Sequence, residues 1–364
     1  PLFRGYRADH TQTMKMTAGD ISAGNPWVAS KGAGLVRAWL LVIAVMVYAM
    51  ILVGGATRLT DSGLSITEWR VFLGAIPPMN DADWAAEFER YRNMTAQFQQ
   101  VNPDMDLSGF KTIYWWEWGH RQLGRVIGIV FLVPLVFFWV TKRITPKLLP
   151  HLLVLFALGG LQGAIGWWMV ASGVNTELVS VAPYRLMTHF CLALLIVAYA
   201  FWLWLEMGGR LRPPVNEAGG LANVILWVTG VQLALGALVA GLDAGRGYTD
   251  WPLMAGKVVP DAIWALEPFW RNLFENEATV QFLHRIMAYV LMGLCFWALW
   301  RIRSVPGLGV RLLAGLVAAQ GVLGVVTLVN AAPLGLSLMH QGLGVALLLA
   351  AVTFGWRSIP ASKD

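Results

Sequence analysis

Cysteine is nearly absent. The chain of 364 residues holds two, and both, Cys191 and Cys295, fall inside long apolar runs. A disulfide-stapled fold and a zinc ribbon are therefore excluded, since each needs cysteines grouped in loops. Charge is scarce too, at 13% of residues, about half of what soluble domains carry. Acidic residues are the rarer sign, 21 against 27 basic, for a net charge of +6. That surplus lies in short segments between apolar runs, which is a membrane signature and calls for no nucleic acid.

What the chain has in quantity is hydrophobic residues, 57%, with 19 Trp among them. Eight runs reach the roughly 20 residues that cross a hydrocarbon core, near 36–57, 112–140, 151–172, 184–205, 220–241, 279–300, 310–330 and 336–356. The first run starts near Leu35, behind a polar, basic tail, and is too long for a signal-peptide core, so it reads as an anchor. Lys and Arg mark the inner side: Arg4, Lys31 and Arg37, then Lys142, Arg143 and Lys147, Arg210 and Arg212, Arg301 and Arg303, and finally Arg357. The two short loops on the other side offer only Arg185. By the positive-inside rule both termini are cytoplasmic, or on the matrix side if the source is a mitochondrion, with a bacterial inner (plasma) membrane the expected location, and the long loops 58–111 and 242–278 face outward.

The chain also repeats itself. Val53-Gly54-Gly55 resembles Val239-Ala240-Gly241, His120-Arg121 matches His284-Arg285, Gln162-Gly163 with Gly166 matches Gln320-Gly321 with Gly324, and His189 matches His340, all in the same order. Each unit has four helices, an even number, so the halves share one orientation about an axis along the membrane normal. The expected fold is all-α and integral to the membrane: two pseudo-twofold-related four-helix bundles, 36–205 and 220–356. A tail at 1–35, a linker at 206–219 and a tail at 357–364 complete the division.

Four of the six histidines fall in the repeat: His120, His189, His284 and His340, one on each even-numbered helix. Each lies five to eight residues from the outer end of its helix, so roughly 7 to 12 Å deep at 1.5 Å per residue. An imidazole in a bilayer costs free energy unless something occupies its nitrogens. Two at equal depth on parallel helices can clamp a planar macrocycle from both faces, so two pairs point to two heme irons. His10 and His151 lie on the inner side, away from that layer, and no metal is expected there.

The two pairs differ. Glu117 stands one helical turn before His120, whereas Gln281, which cannot carry charge, stands one turn before His284. A carboxylate beside an iron porphyrin can take protons or stabilise a cation. It can also simply pair with Arg121. The first site therefore reads as chemical and the second as an electron store.

The run GGATRLTDSGLSITEW from Gly54 to Trp69, the motif EWGHRQLGR from Glu117 to Arg125 and the repeated histidines together resemble the heme A synthase family, over residues 36–356. The resemblance implies an oxidoreductase that converts heme O to heme A for cytochrome oxidase, oxidising a ring methyl to a formyl group by two hydroxylations through a geminal diol. By motif match, His284 and His340 would ligate a resident heme b, His120 and His189 would flank the substrate heme, and Glu117 would be the essential carboxylate. The implied partners are heme O synthase, the cytochrome oxidase assembly machinery, membrane lipid and an electron donor that residue types do not identify. A cysteine pair that some members carry in the first outer loop is absent from residues 58–111, so a thiol-dependent step is not available here.

Arg121 and Arg285 follow ligand histidines and either reach heme propionates, which suit Arg, or extend to the lipid headgroups. Arg58, Asp61 and Trp69 read as ordering the first loop, Gln162 and Gln320 as bonding between helices, the glycines near them as packing positions, and Trp115, Trp116 and Trp118 as an interfacial belt. Two other functions compete with the enzyme: a diheme bis-His electron-transfer cytochrome b, and a heme carrier. The Glu117 against Gln281 asymmetry favours an enzyme, because electron transfer gives no reason for a carboxylate at one site alone.

Overall fold

The computed structural model of the chain describes residues 25–29, 31–209, 219–302 and 308–358. The N-terminal tail through residue 24, with His10, most of the 206–219 linker and the C-terminal residues 359–364 lie outside the described residues. Among those described there is no strand, and every long element is a helix. Eight are long and apolar enough to cross a membrane: α1 (Ala33–Leu59), α4 (Leu107–Val140), α5 (Leu148–Val170), α6 (Pro183–Gly208), α7 (Gly219–Gly241), α10 (Glu277–Arg301), α11 (Leu308–Val329) and α12 (Leu334–Ser358).

All eight coincide with the apolar runs, and the ends differ for polar reasons. Helix α4 starts five residues before the apolar run, because the Asp106 carboxylate accepts from Gly109 N at 2.7 Å and caps a polar first turn. The Asn276 side chain does the same for α10 through Thr279 N at 3.1 Å. Hydropathy does not register a turn that stands proud of the bilayer.

Helix α1 packs on α4 and α6, and α5 packs on the same two; α7 packs on α10 and α12, and α11 on the same two. Between these sets α6 meets α7 and α12, and α1 meets α12. Leu40, Ile43, Leu152, Val197 and Leu203 fill the first interior, and Ile225, Leu291, Cys295 and Leu313 the second. Lipid is as apolar as leucine, so association rests on close packing and hydrogen bonds between helices, about 0.6 kcal/mol for an average bond. Trp39 Nε1 donates to Val130 O at 2.8 Å, joining α1 to α4. Across the middle, Tyr48 donates to Gly342 O and Gln341 Nε2 to Ile51 O, both at 2.8 Å.

The loop after α1 is partly helical. It contains α2 (Asp81–Met94), opened by the Asn80 side chain accepting from Asp83 N at 2.9 Å, and α3 (Ala96–Gln100). Trp84, Tyr91 and Phe98 pack with Phe110, Ile113 and Tyr114 of α4 into a small aromatic core. Trp115, expected in a headgroup belt, is exposed and also meets Trp84 of this cap edge-on, with ring centres 5.6 Å apart. The loop after α7 has only short elements: α8 (Ala244–Gly247), a 3-10 turn at Phe269–Arg271 and α9 (Asn272–Glu275).

Tyr91 is fully buried and donates to Gln97 Oε1 at 2.9 Å, while Gln97 Nε2 donates to Asp61 O at 3.0 Å. Replacing Tyr91 with Ala is expected to destabilise the cap by about 3 to 5 kcal/mol, the cost of truncating a buried aromatic. Limited proteolysis in membranes should then cut residues 60–106 faster while leaving the apolar helices intact. An unchanged rate would argue against this cap.

Candidate functional site

The four repeated histidines line one cavity of about 1350 Å³ at the end of the bundle that carries the long loops. That exceeds the roughly 300–1,000 Å³ of pockets for a single drug-sized ligand. Each ring lies against a glycine of a neighbouring helix. A Cβ added to Gly54 would sit 3.0 Å from His120 Nε2, and one added to Gly166 2.8 Å from His189 Cε1. On Gly236 it would come within 3.1 Å of His284 Cε1, and on Gly324 within 2.9 Å of His340 Cε1. Gly166 and Gly324, expected to bring helices together, thus make room for imidazoles, and Gly54 and Gly236, not among those packing positions, do the same.

Three rings also meet a glutamine one turn before that glycine. Gln162 Nε2 donates to His189 O at 3.1 Å and lies 3.3 Å from its Nε2. Gln320 repeats this at His340, at 3.0 and 3.5 Å. Gln232 Nε2 lies 3.1 and 3.3 Å from the two ring nitrogens of His284. Gln162 and Gln320 do join helices as expected, but the partner they hold is a histidine. Gln232 was not singled out from sequence, although its four-residue spacing to Gly236 matches Gln162 to Gly166.

The His284 and His340 ring centres are 6.5 Å apart, with planes at 76°. Two metal–imidazole bonds of about 2 Å, with the reach from each nitrogen to its ring centre, span roughly that distance. Buried Nδ1 atoms of His189 and His340 and buried Oε1 atoms of Gln162, Gln232 and Gln320 have no protein partner. No group of three or more His, Cys, Asp or Glu among the described residues could hold a bare metal ion. Imidazoles in pairs suffice only where a planar macrocycle supplies the remaining ligands, so the residues fit an iron porphyrin.

Glu117 is buried, and its carboxylate ties the first loop to α4. Oε2 accepts from Ser65 Oγ at 2.8 Å and from Ile66 N at 2.7 Å, and Oε1 pairs with Arg121 at 2.5 Å. Gln281 does the corresponding work with opposite polarity: its Nε2 donates to Ala244 O at 2.6 Å and Tyr248 O at 3.0 Å, and its Oε1 accepts from Arg285 at 2.8 Å. Arg121 also donates to Ile66 O and Glu68 O, and Arg285 to Tyr248 O, Asp250 O and Leu253 O. Both guanidinium groups still line the cavity. Arg58 pairs with Asp61 at 2.9 Å and with Asp243 at 2.7 Å, fastening the end of α1 to the start of α8. Burial pushes the Asp61 carboxyl up, against the pull of Arg58. Asp250 is held low by the backbone N–H groups of Gly256 and Ala255. His151 lies elsewhere, its Nδ1 2.6 Å from the Tyr199 hydroxyl.

Fold and site together define an integral membrane protein that encloses paired imidazoles suited to tetrapyrrole iron. The chain belongs to the COX15-CtaA family of cytochrome oxidase assembly proteins, whose profile matches residues 37–352. It is 55% identical to the heme A synthase of Hyphomonas neptunium over 91% of this chain and 95% of that protein. It is 50% identical to that of Paracoccus denitrificans over 95% and 93%, and 46% identical to that of Mesorhizobium japonicum over 90% and 93%.

Because the seats leave no room for a side chain, Gly236→Leu is expected to drive the His284 ring from its position. The purified variant should lose Soret absorbance relative to the parent protein at equal yield. Full retention of that absorbance would show that the seat is not required.

Proposed function

We propose that the chain is a membrane oxidoreductase that converts heme O to heme A, oxidising one ring methyl to a formyl group. The observation that carries this reading is the set of four histidines, each seated on a glycine, around one cavity too large for a single small ligand. Likeness to heme A synthases over most of the chain supports it.

The finer assignments follow the repeat. Residues 36–205 hold the substrate heme between His120 and His189, and residues 220–356 hold heme b between His284 and His340. The helix contacts support two related four-helix bundles, since α1, α4, α5 and α6 pair among themselves as α7, α10, α11 and α12 do. When bound, heme b supplies one-electron transfer. Glu117, ion-paired with Arg121 and one turn from His120, sets a charged pair beside the reacting ring and binds Ser65 and Ile66 of the first loop. Arg121 and Arg285, which line the cavity, are the proposed partners of the propionates. Gln281 reproduces the loop attachment without a charge, in keeping with electron transfer rather than chemistry in that half.

The distribution of Lys and Arg supports both termini on the cytoplasmic side of a bacterial inner membrane, with the heme sites toward the outer face. Heme O synthase supplies the substrate, the cytochrome oxidase assembly machinery takes the product, and a separate electron donor completes the cycle.

In cells lacking their own heme A, the chain is expected to produce heme A that extraction and chromatography detect, and Glu117→Ala is expected to abolish it while heme b stays bound. Two equivalents of heme b with no heme O or heme A would point to the diheme cytochrome instead. Substituting Ala for His284 or His340 is expected to deplete heme b first. Should His120→Ala do so, the halves are assigned the wrong way round.

A further inference from the structure

The two halves share their histidines but not the helix seam beside them. In the repeat that aligns His120 with His284, Gly128 of α4 stands where α10 has Met292. In the repeat that aligns Gln162 with Gln320, Gly163 of α5 stands where α11 has Gly321. The second seam is filled, because the Met292 Cε lies 2.6 Å from where a Cβ on Gly321 would be. In the first, a Cβ on Gly128 or Gly163 would meet nothing within 4 Å among the described residues, and the same holds at Gly159 and Gly160, one turn before Gly163. Their counterparts in α11 are Val317, which is buried, and Ala318. Helices α4 and α5 accordingly meet over less of their length than α10 and α11 do.

The open seam is continuous with the histidine cavity, since Gly159, Gly160 and Gly163 line it. It leads inward from the ring layer: His120 and Gly128 are eight residues apart on α4, about 12 Å along the axis. One turn beyond Gly128 it closes, where Phe131 of α4 stacks on Phe156 of α5 with ring centres 5.9 Å apart. The other end is polar. His189 Nδ1 and Gln162 Oε1 are buried there without a protein partner, and both residues line the cavity. A seat for a polar ring centre thus opens into an apolar slot with an aromatic floor.

Heme O and heme b contain the same iron porphyrin core, and heme O carries a farnesyl chain where heme b has a vinyl group. That chain gains nothing from contact with water, so a half that takes heme O must offer it an apolar path away from the ring. On the heme reading above, we propose that the seam between α4 and α5 holds the farnesyl chain of the substrate, and that Met292 closes the matching seam between α10 and α11 and restricts that half to heme without a tail. The choice between the two hemes then lies in side-chain volume beside the histidines rather than in the histidines, which both halves possess.

Heme O and hemin are the probes. Full-length protein purified in detergent with heme b in place is titrated with each, and binding to the first half is followed through the Soret band. The parent protein is expected to bind both, heme O the more tightly. Gly128→Met, which gives α4 the side chain that α10 carries, is expected to weaken heme O binding on the order of tenfold or more, the effect of overfilling a packed site, with hemin binding at the parent's level. Gly159→Val, which copies Val317, is expected to act the same way. Purified from cells that make heme O, Gly128→Met is expected to yield heme b alone on extraction and chromatography, and the double variant Gly128→Met/Met292→Gly to regain heme O. Unchanged heme O binding in Gly128→Met and Gly159→Val overturns the proposal, as does a parent that binds heme O no more tightly than hemin, or an equal loss of both hemes in the variants. A double variant without heme O overturns the role of Met292. A parent protein that binds neither heme in its first half overturns the heme reading itself, which is a separate outcome.

Discussion

An imidazole placed in hydrocarbon has two nitrogens that water cannot reach, and the arrangement of this protein follows from giving them partners. Four such rings stand around one cavity. Each needs a neighbouring helix to come close enough to support it while leaving space on the opposite side. Only glycine permits that approach, since a Cβ at Gly54, Gly166, Gly236 or Gly324 would press on the ring. With the backbone so close, an amide one turn away reaches the same histidine at three of the four positions. At those three positions the histidine is held by the amide, and all four line the cavity.

The long loops depend on the same layer. Glu117 and Gln281 lie one turn before a histidine, and each binds the loop that follows the preceding helix. One accepts from the loop, and the other donates to it. Arg121 and Arg285 reinforce these attachments through loop carbonyls. Arg58 adds a bond from the end of α1 to Asp243 beyond α7. The ceiling of the cavity is therefore joined to the helices that carry the histidines. A change in the position of His120 would be felt through Glu117 by Ser65 and Ile66.

Much of this was legible in the chain itself. Eight apolar runs marked the eight long helices, and the repeat placed all four histidines in one layer because depth follows directly from helical rise. The Glu117 and Gln281 asymmetry was equally visible, but its geometry was not. A carboxylate that accepts from Ser65 and Ile66 differs from one aimed freely at a cofactor, and only the folded loop distinguishes them. Gln232 was not legible because α1, the counterpart of its helix in the repeat, has no glutamine, although its spacing to Gly236 repeats that of Gln162 to Gly166. Helices α2 and α3 escaped because their apolar face is short and packs on aromatic residues of α4 rather than on a long core. Arg121 and Arg285, expected at propionates or headgroups, line the cavity and also donate to loop carbonyls, a partner that residue type alone does not suggest.

The central claim is that imidazole pairs from alternate helices grip iron from both sides. Low-temperature electron paramagnetic resonance of the oxidised, purified protein tests it most directly, with near-infrared magnetic circular dichroism to identify the axial ligands. The account predicts a low-spin ferric signal with bis-imidazole character that disappears when His284 or His340 is replaced by Ala. A heme with any other axial pair, or no ferric signal at all, would contradict it.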